Sequence, residues 1–248
     1  FGRAYLNATT KDKTKEAVFN MKADKMAEIY QKVFSKLAKD FQVTIVAGSI
    51  VLPDPSVKNG KLVINKFGKL YNVSAVFDAN GNILSPLTRK IFPISEELSF
   101  TNAADIKELP VYKTPSGNLA VLVCADAWYP ENYQLLTDKQ VDVLAVPSFV
   151  SGNDSWSKEW KGYNGAPAPA DINKADINKI TEQDAWLKYA MTGRIKSTAI
   201  KTGVNVFLRG DLWNLGSDGH TLIWNNKAPV LSKDTENNTG SLINVWLE

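Results

Sequence analysis

Residues 22–39 carry Met26, Ile29, Tyr30, Val33, Phe34 and Leu37 at three- and four-residue steps, so a helix there gathers them into one apolar stripe. A stripe of that kind must be covered by another layer. The β-branched run 43–47, closing on Gly48, supplies one, because an unbroken short apolar run reads as a buried strand. A helix followed at once by a buried strand points to layered α/β architecture. The same grammar continues along the chain. Strands are expected at 62–64 and 70–77, and Asn80-Gly81 then turns the chain toward Ile83-Leu84, since that dipeptide is the strongest short hairpin signal. An apolar strand at 119–123 ends on Cys124, and Pro130 suits the first turn of a helix over 131–137. A buried strand at 141–146 is expected to end at Pro147, followed by a helix over 182–201 and strands at 204–208, 220–224 and 242–247. Residues 148–181, including Gly165-Ala-Pro-Ala-Pro169, lose all periodicity and read as a long surface excursion. With no repeat and no linker, a single domain over 1–248 is expected, with 148–181 as a loop insertion.

Composition narrows the function more than the fold. At 248 residues and 44% apolar content the chain can fill a core, and disorder is a poor reading. The net charge of +3 is small and Lys and Arg form no long run, so nucleic acid is not an expected partner. No apolar run approaches the roughly 18 residues of a membrane span, and no signal peptide opens the sequence, so a cytoplasmic location is expected. One cysteine, Cys124, and one histidine, His220, leave no intrachain disulfide and no zinc site of several Cys and His ligands.

Cys124 lies where an apolar strand passes into a helix, a corner that presents a side chain beside free backbone N–H groups. It reads either as a nucleophile or as an inert buried thiol, a common fate of free cysteine. A thiolate needs a base and a nearby cation. His220 follows the turn-like Ser217-Asp218-Gly219, a setting more typical of a surface histidine, so a carboxylate base with a lysine is the better expectation. Lys90, Glu96 and Glu97 supply such groups within Arg89-Lys90-Ile91-Phe92-Pro93-Ile94-Ser95-Glu96-Glu97, whose plain reading is ordinary surface charge. Trp156 and Trp160 in the excursion either wall an acyl site or anchor the insertion.

Several strings in order resemble the nitrilase, or carbon–nitrogen hydrolase, superfamily. They are Val46-Ala47-Gly48-Ser49, the hairpin from Asn72 to Asp78 and Asn80-Gly81, Arg89-Lys90, Cys124-x-Asp126-x-x-Tyr129-Pro130-Glu131, the run 141–148 ending Val146-Pro147-Ser148, and Arg194 ahead of Gly203-Val204. The resemblance implies an α-β-β-α sandwich and a Glu–Lys–Cys triad. It makes Cys124 the nucleophile, Lys90 the oxyanion-stabilising lysine and Glu97 the auxiliary glutamate, with Glu96 its rival. It makes the Ala125 N–H the second oxyanion donor and Glu131 and Arg194 structural. The family usually has an aromatic where Ala125 stands. The base glutamate of the family ends a buried strand before the 22–39 helix. Residues 9–15 are too polar for that strand, so the resemblance places the first strand–helix–strand and its glutamate upstream of Phe1, with Glu16 as the alternative. The implied activity is hydrolysis of an amide, or less readily a nitrile, in a small molecule through a cysteine thioester. Acyl transfer from the same intermediate and a non-catalytic binding module are the alternatives. A homodimer or larger homo-oligomer is implied as well, and the implied mechanism requires neither a metal nor an organic cofactor.

Overall fold

The computed structural model describes residues 1–210, 214–225, 228–232 and 242–246. The chain gathers into two compact units, Phe1–Thr114 and Pro115–Glu248.

In the first unit a short helix α1 (Gly2–Leu6) precedes α2 (Lys13–Phe41). α2 starts at Lys13 rather than residue 22, because the polar segment before it is a cap. Asp12 accepts the Lys15 N–H at 3.0 Å. Glu16 turns back to accept the N–H groups of Thr9 and Thr10 at 2.8 and 2.7 Å. The buried line of α2 runs through Ala17, Asn20, Ala23, Ala27 and Ala38. Met26, Tyr30 and Phe34 pack toward the core from its flanks. Ile29, Val33 and Leu37, expected in the same stripe, are exposed. Alanines let the helix sit close on Leu52 and its neighbours, and that close contact rotates the larger stripe partly away.

The strands of this unit are short: β1 (Ile45–Val46), β2 (Ile50–Pro53), β3 (Ser56–Lys58), β4 (Lys61–Val63), β5 (Leu70–Ser74), β6 (Val76–Phe77), β7 (Thr88–Arg89) and β8 (Val111–Thr114). The expected strand 70–77 is therefore two. β5 pairs antiparallel with β2 and β7, β6 with β1, and β3 with β4. Gly81 makes the turn after β6 at φ +82°, where an added Cβ would lie 2.6 Å from the Ser35 carbonyl oxygen. Ser35 Oγ donates to the Gly81 carbonyl at 2.7 Å, tying the turn to α2. Between β7 and β8 lies α3 (Ser95–Leu98).

The second unit is built on β9 (Gly117–Val121), β10 (Val143–Ser148), β11 (Thr202–Phe207), β12 (Leu222–Asn225) and β13 (Ala228–Leu231), which lie side by side in that order. β9, β10 and β11 are parallel, and β12 and β13 run antiparallel. β10 does not end at Pro147: Pro147 stands opposite Val206 and Ser148 opposite Phe207. Ala145 uses its carbonyl toward β9, accepting from Leu122, while Ser148 uses its carbonyl toward β11. Pro147 thus faces the β9 side beyond the last β9 pair, where the donor it lacks has no ladder partner. α4 (Pro130–Asp138) has Pro130 in its first turn, as expected.

The single helix expected over 182–201 is broken into α5 (Glu182–Tyr189) and α6 (Met191–Arg194), with Ala190 extended between them. A Cβ on Gly193 would sit 1.9 Å from the Lys188 carbonyl oxygen, so the break depends on glycine there. The expected closing strand 242–247 does not form over 242–246, where Leu242 and Trp246 are 91% and 82% exposed, and Leu247 lies outside the described residues. Within 148–181 regular structure is confined to two 3-10 turns, Ser155–Ser157 and Lys174–Asp176. Trp156 and Trp160 are buried and anchor this excursion. Trp160 stacks on Trp128 and Tyr189, while Trp156 packs edge-on to Phe207. Arg194 pairs with Asp171, and Lys188 with Asp176 at 2.6 Å.

Candidate active site

In the second unit Cys124 follows the end of β9 and opens a 3-10 turn, Cys124–Trp128. Its φ is +52°, a left-handed conformation that costs a residue with a Cβ about 1–2 kcal/mol. The surroundings hold it there. Asp126 is fully buried and accepts the Val123 N–H at 3.1 Å, while its own N–H donates to the Val123 carbonyl at 3.1 Å. Asn132 Nδ2 donates to the Asp126 carbonyl at 2.7 Å, and Tyr133 to that of Ala127 at 2.8 Å. The excursion adds Tyr163, whose hydroxyl donates to the Trp128 carbonyl at 2.9 Å. Burial pushes the Tyr163 hydroxyl up to about 12, so it remains a donor across the neutral range. Cys124 is half-buried, with Sγ 3.9 Å from the Phe149 carbonyl oxygen. The first backbone bond of the turn starts at Asp126, so the Ala125 N–H lies ahead of it, in the position of a helix-start donor.

In the first unit Lys90 is 3% exposed and its ammonium reaches Glu97 Oε2 at 2.5 Å. Glu97 also accepts from Ile94 N–H at 2.9 Å and from Asn72 Nδ2 at 2.7 Å. Two further residues, Asn72 and Ile94, thus converge on one ion pair, which suits a buried charge that must be hydrogen-bonded. Glu96, the rival, is exposed. Lys90 is fixed from both sides of its backbone, donating to Asn72 O at 2.8 Å and accepting from Ala104 N–H at 3.0 Å. The structure therefore brings together Lys90 with Glu97, and Cys124 with Ala125. Glu16 is 4% exposed, and its carboxylate is already engaged by Thr9 and Thr10, a fastening role for the start of α2.

His220 lies elsewhere in the second unit, its ring 5.9 Å from that of Trp156 in the wall of a cavity that Cys124 does not line. Arg194 is structural, as expected, bonding Asp171 and the Tyr189 carbonyl. Glu131 is exposed in the first turn of α4, where a carboxylate favours the helix start. Sequence reasoning passed over Asn72, Asp126, Asn132 and Tyr163. The first two stood inside the quoted strings and Asn132 directly after one, but their partners lie at the far end of a turn or on another element: Asn72 bonds Glu97 of α3. Tyr163 carried no signal at all. Among the described residues, no three His, Cys, Asp or Glu side chains cluster as metal ligands, and no helix is long and apolar enough to cross a membrane.

Known proteins bear on this geometry. The sequence pattern of the family described as Carbon-nitrogen hydrolase matches residues 19–168. A deaminated glutathione amidase from Synechocystis sp. is 32% identical over 145 residues, which is 54% of this chain and 50% of that protein. The chain thus spans about half the length of the curated relatives it matches. Among solved structures, the NitN amidase from Neterenkonia sp. AN1 superposes with a TM-score of 0.57 at 15% identity, over 84% of this chain and 65% of that one. A variant of the Nesterenkonia amidase, bearing the acetamide moiety of fluoroacetamide covalently on its active-site cysteine, gives 0.57 at 14% identity, over 83% and 62%. The α/β fold of the nitrilase type expected from the sequence is the one these structures share with this chain. The family pattern covers more than half the chain and includes the strings around Lys90 and Cys124, and the chain belongs to the carbon–nitrogen hydrolase family.

Proposed function

We propose that the protein hydrolyses a non-peptide carbon–nitrogen bond, an amide in a small molecule, through a thioester on Cys124. The observation that carries this reading is the left-handed Cys124 at the start of a turn locked by Asp126, Asn132 and Tyr163. Strain of this kind persists only where neighbouring groups enforce it. The covalent adduct on the active-site cysteine of the Nesterenkonia amidase supports the same role for a cysteine on this fold.

In this mechanism a carboxylate base takes the thiol proton, Sγ attacks the amide carbon, and the carbonyl oxygen becomes an oxyanion. Lys90 and the Ala125 N–H are assigned to that oxygen, and Glu97 positions the Lys90 side chain through its hydrogen bond. Collapse breaks the C–N bond as the amine leaves with a proton. Water then cleaves the thioester and releases the acid. Pairing of two copies belongs to the same reading, and light scattering reports it as a doubled mass.

The test is ammonia release from a panel of small amides, with intact mass recorded in parallel for the wild type, Cys124→Ala and His220→Ala. The expected result is release that survives His220→Ala and vanishes with Cys124→Ala, plus an acyl adduct on the wild type. Loss of release in a folded His220→Ala would point to a Cys–His enzyme and sink the assignment.

A further inference from the structure

A second feature of the second unit is a cavity of about 520 Å³ whose lining includes Trp156, Ser157, Gln183, Arg209, Asp218 and His220. One of its lining residues, Asp218, is 8% exposed. Asp218 accepts the Trp156 and Gly219 N–H groups, each at 2.8 Å, and Arg209 Nη1 at 3.2 Å. Arg209 Nη1 also donates to the Gly219 carbonyl at 2.8 Å. The loop that carries these groups is pinned, since Ser217 Oγ accepts from the Gly210 N–H and donates to its carbonyl, both at 2.9 Å. A Cβ on Gly219 would meet the Phe207 ring at 2.5 Å, which fixes the backbone of the turn.

Among the described residues the bonds of Arg209 run through Nη1, so Asp218 orients the guanidinium and its Nε and Nη2 donors meet no acceptor there. In the same wall the buried Trp156 indole N–H has no acceptor among the described residues, and an unmet buried donor typically costs about 1–3 kcal/mol. Arg209 is the one Lys or Arg among the described lining residues, which also include the carboxylates of Asp154 and of Asp218, the second already bonded to Arg209 and to two backbone N–H groups. A phosphate, which favours two or more cations, is poorly matched. A single carboxylate matches the guanidinium fork and brings acceptors beside the indole.

The cavity is also close to the thiol. Cys124 Sγ lies 3.9 Å from the Phe149 carbonyl oxygen, and the next residue, Val150, bridges Asp218, whose N–H donates to the Val150 carbonyl at 2.9 Å. Standard backbone and cross-strand spacings then put the Asp218 backbone within roughly 12 Å of Sγ. We propose that the cavity holds a carboxylate of the substrate on Arg209, so that the amide cleaved at Cys124 belongs to a molecule that also carries an acid group. This rests on the amidase reading above and narrows its substrate class.

The test uses the intact protein and glutarate as probe, with glutaramide as its uncharged counterpart. Calorimetry is expected to show glutarate binding at least tenfold tighter than glutaramide. Arg209→Gln is expected to weaken glutarate tenfold or more, with Arg209→Lys in between. Glutarate is also expected to slow alkylation of Cys124 by iodoacetamide, followed by intact mass. Equal binding of the two probes overturns the proposal, as does binding that is indifferent to a folded Arg209→Gln. If that variant does not fold, the two probes on the wild type still decide. Glutarate that binds without protecting Cys124 removes the acid group from the substrate and overturns the assignment in that way. Because binding needs no turnover, Cys124-dependent ammonia release without glutarate binding sinks this inference alone, and glutarate binding with no release from any amide sinks the amidase reading.

Discussion

Lys90 is held in a structural ion pair, and the proposed mechanism gives the same residue a chemical role. Its ammonium is buried against Glu97, and breaking a buried pair by removing one partner typically costs about 3–5 kcal/mol. Lys90→Gln keeps a donor near Glu97 while deleting the charge, and is expected to lower kcat/KM for amide hydrolysis by ~10²–10³, the usual loss for one oxyanion donor. Ammonia release by a variant with unchanged circular dichroism measures it. Glu182 behaves in the opposite sense. Burial raises its carboxyl above the ordinary value while the Trp186 indole N–H, donating at 3.1 Å, partly offsets this. A raised folded-state value means that the fold favours the protonated acid. The stabilising contribution is therefore complete below the unfolded value of 4.5 and is lost as pH rises through the folded one. Glu182→Gln is expected to raise Tm at pH 7 and to match the wild type near pH 4. A Tm difference independent of pH would contradict this.

At the scale of elements, the turn after β9 is held from three directions: by its own Asp126, by Asn132 of α4 and by Tyr163 of the excursion. The excursion is in turn fastened to α5 and α6 through Lys188 and Arg194. The break between those helices therefore bears on Cys124 at a distance. Gly193→Ala puts a methyl group 1.9 Å from the Lys188 carbonyl oxygen. It is expected to cost about 3 kcal/mol in urea unfolding, at the upper end of overpacking, because the clash is with backbone. An exposed glycine-to-alanine change in a helix would instead stabilise slightly, so the sign of the effect decides whether the break is real.

For the whole molecule, the sequence offers a built-in pair of probes. All seven tryptophans lie beyond residue 114, in the second unit, and the longest helix, α2, lies in the first. Urea unfolding followed by tryptophan fluorescence thus reports the second unit, while far-ultraviolet circular dichroism draws heavily on α2. A single domain over 1–248 predicts coincident transitions by the two signals. Separated midpoints would show two folding units.

The sequence by itself determined the α/β class, the helix–strand order around Lys90 and Cys124, and the family. Those features are written in local periodicity and in short strings whose spacing survives without knowledge of the rest of the chain. It also separated structural Arg194 from the candidate nucleophile. What it did not contain were the contacts made across the fold. The resemblance already favoured Glu97 over Glu96, but the contacts of Lys90, Asn72 and Ile94 around one carboxylate were not in the sequence. The capping role of Glu16, the split of 182–201 at Ala190 and the passage of β10 through Pro147 depended likewise on partners distant in sequence. The polar cavity on Arg209 and Asp218 was invisible for the same reason. Periodicity registers which side of an element is apolar, whereas hydrogen bonds and close approaches depend on which elements meet, and tertiary structure alone decides that.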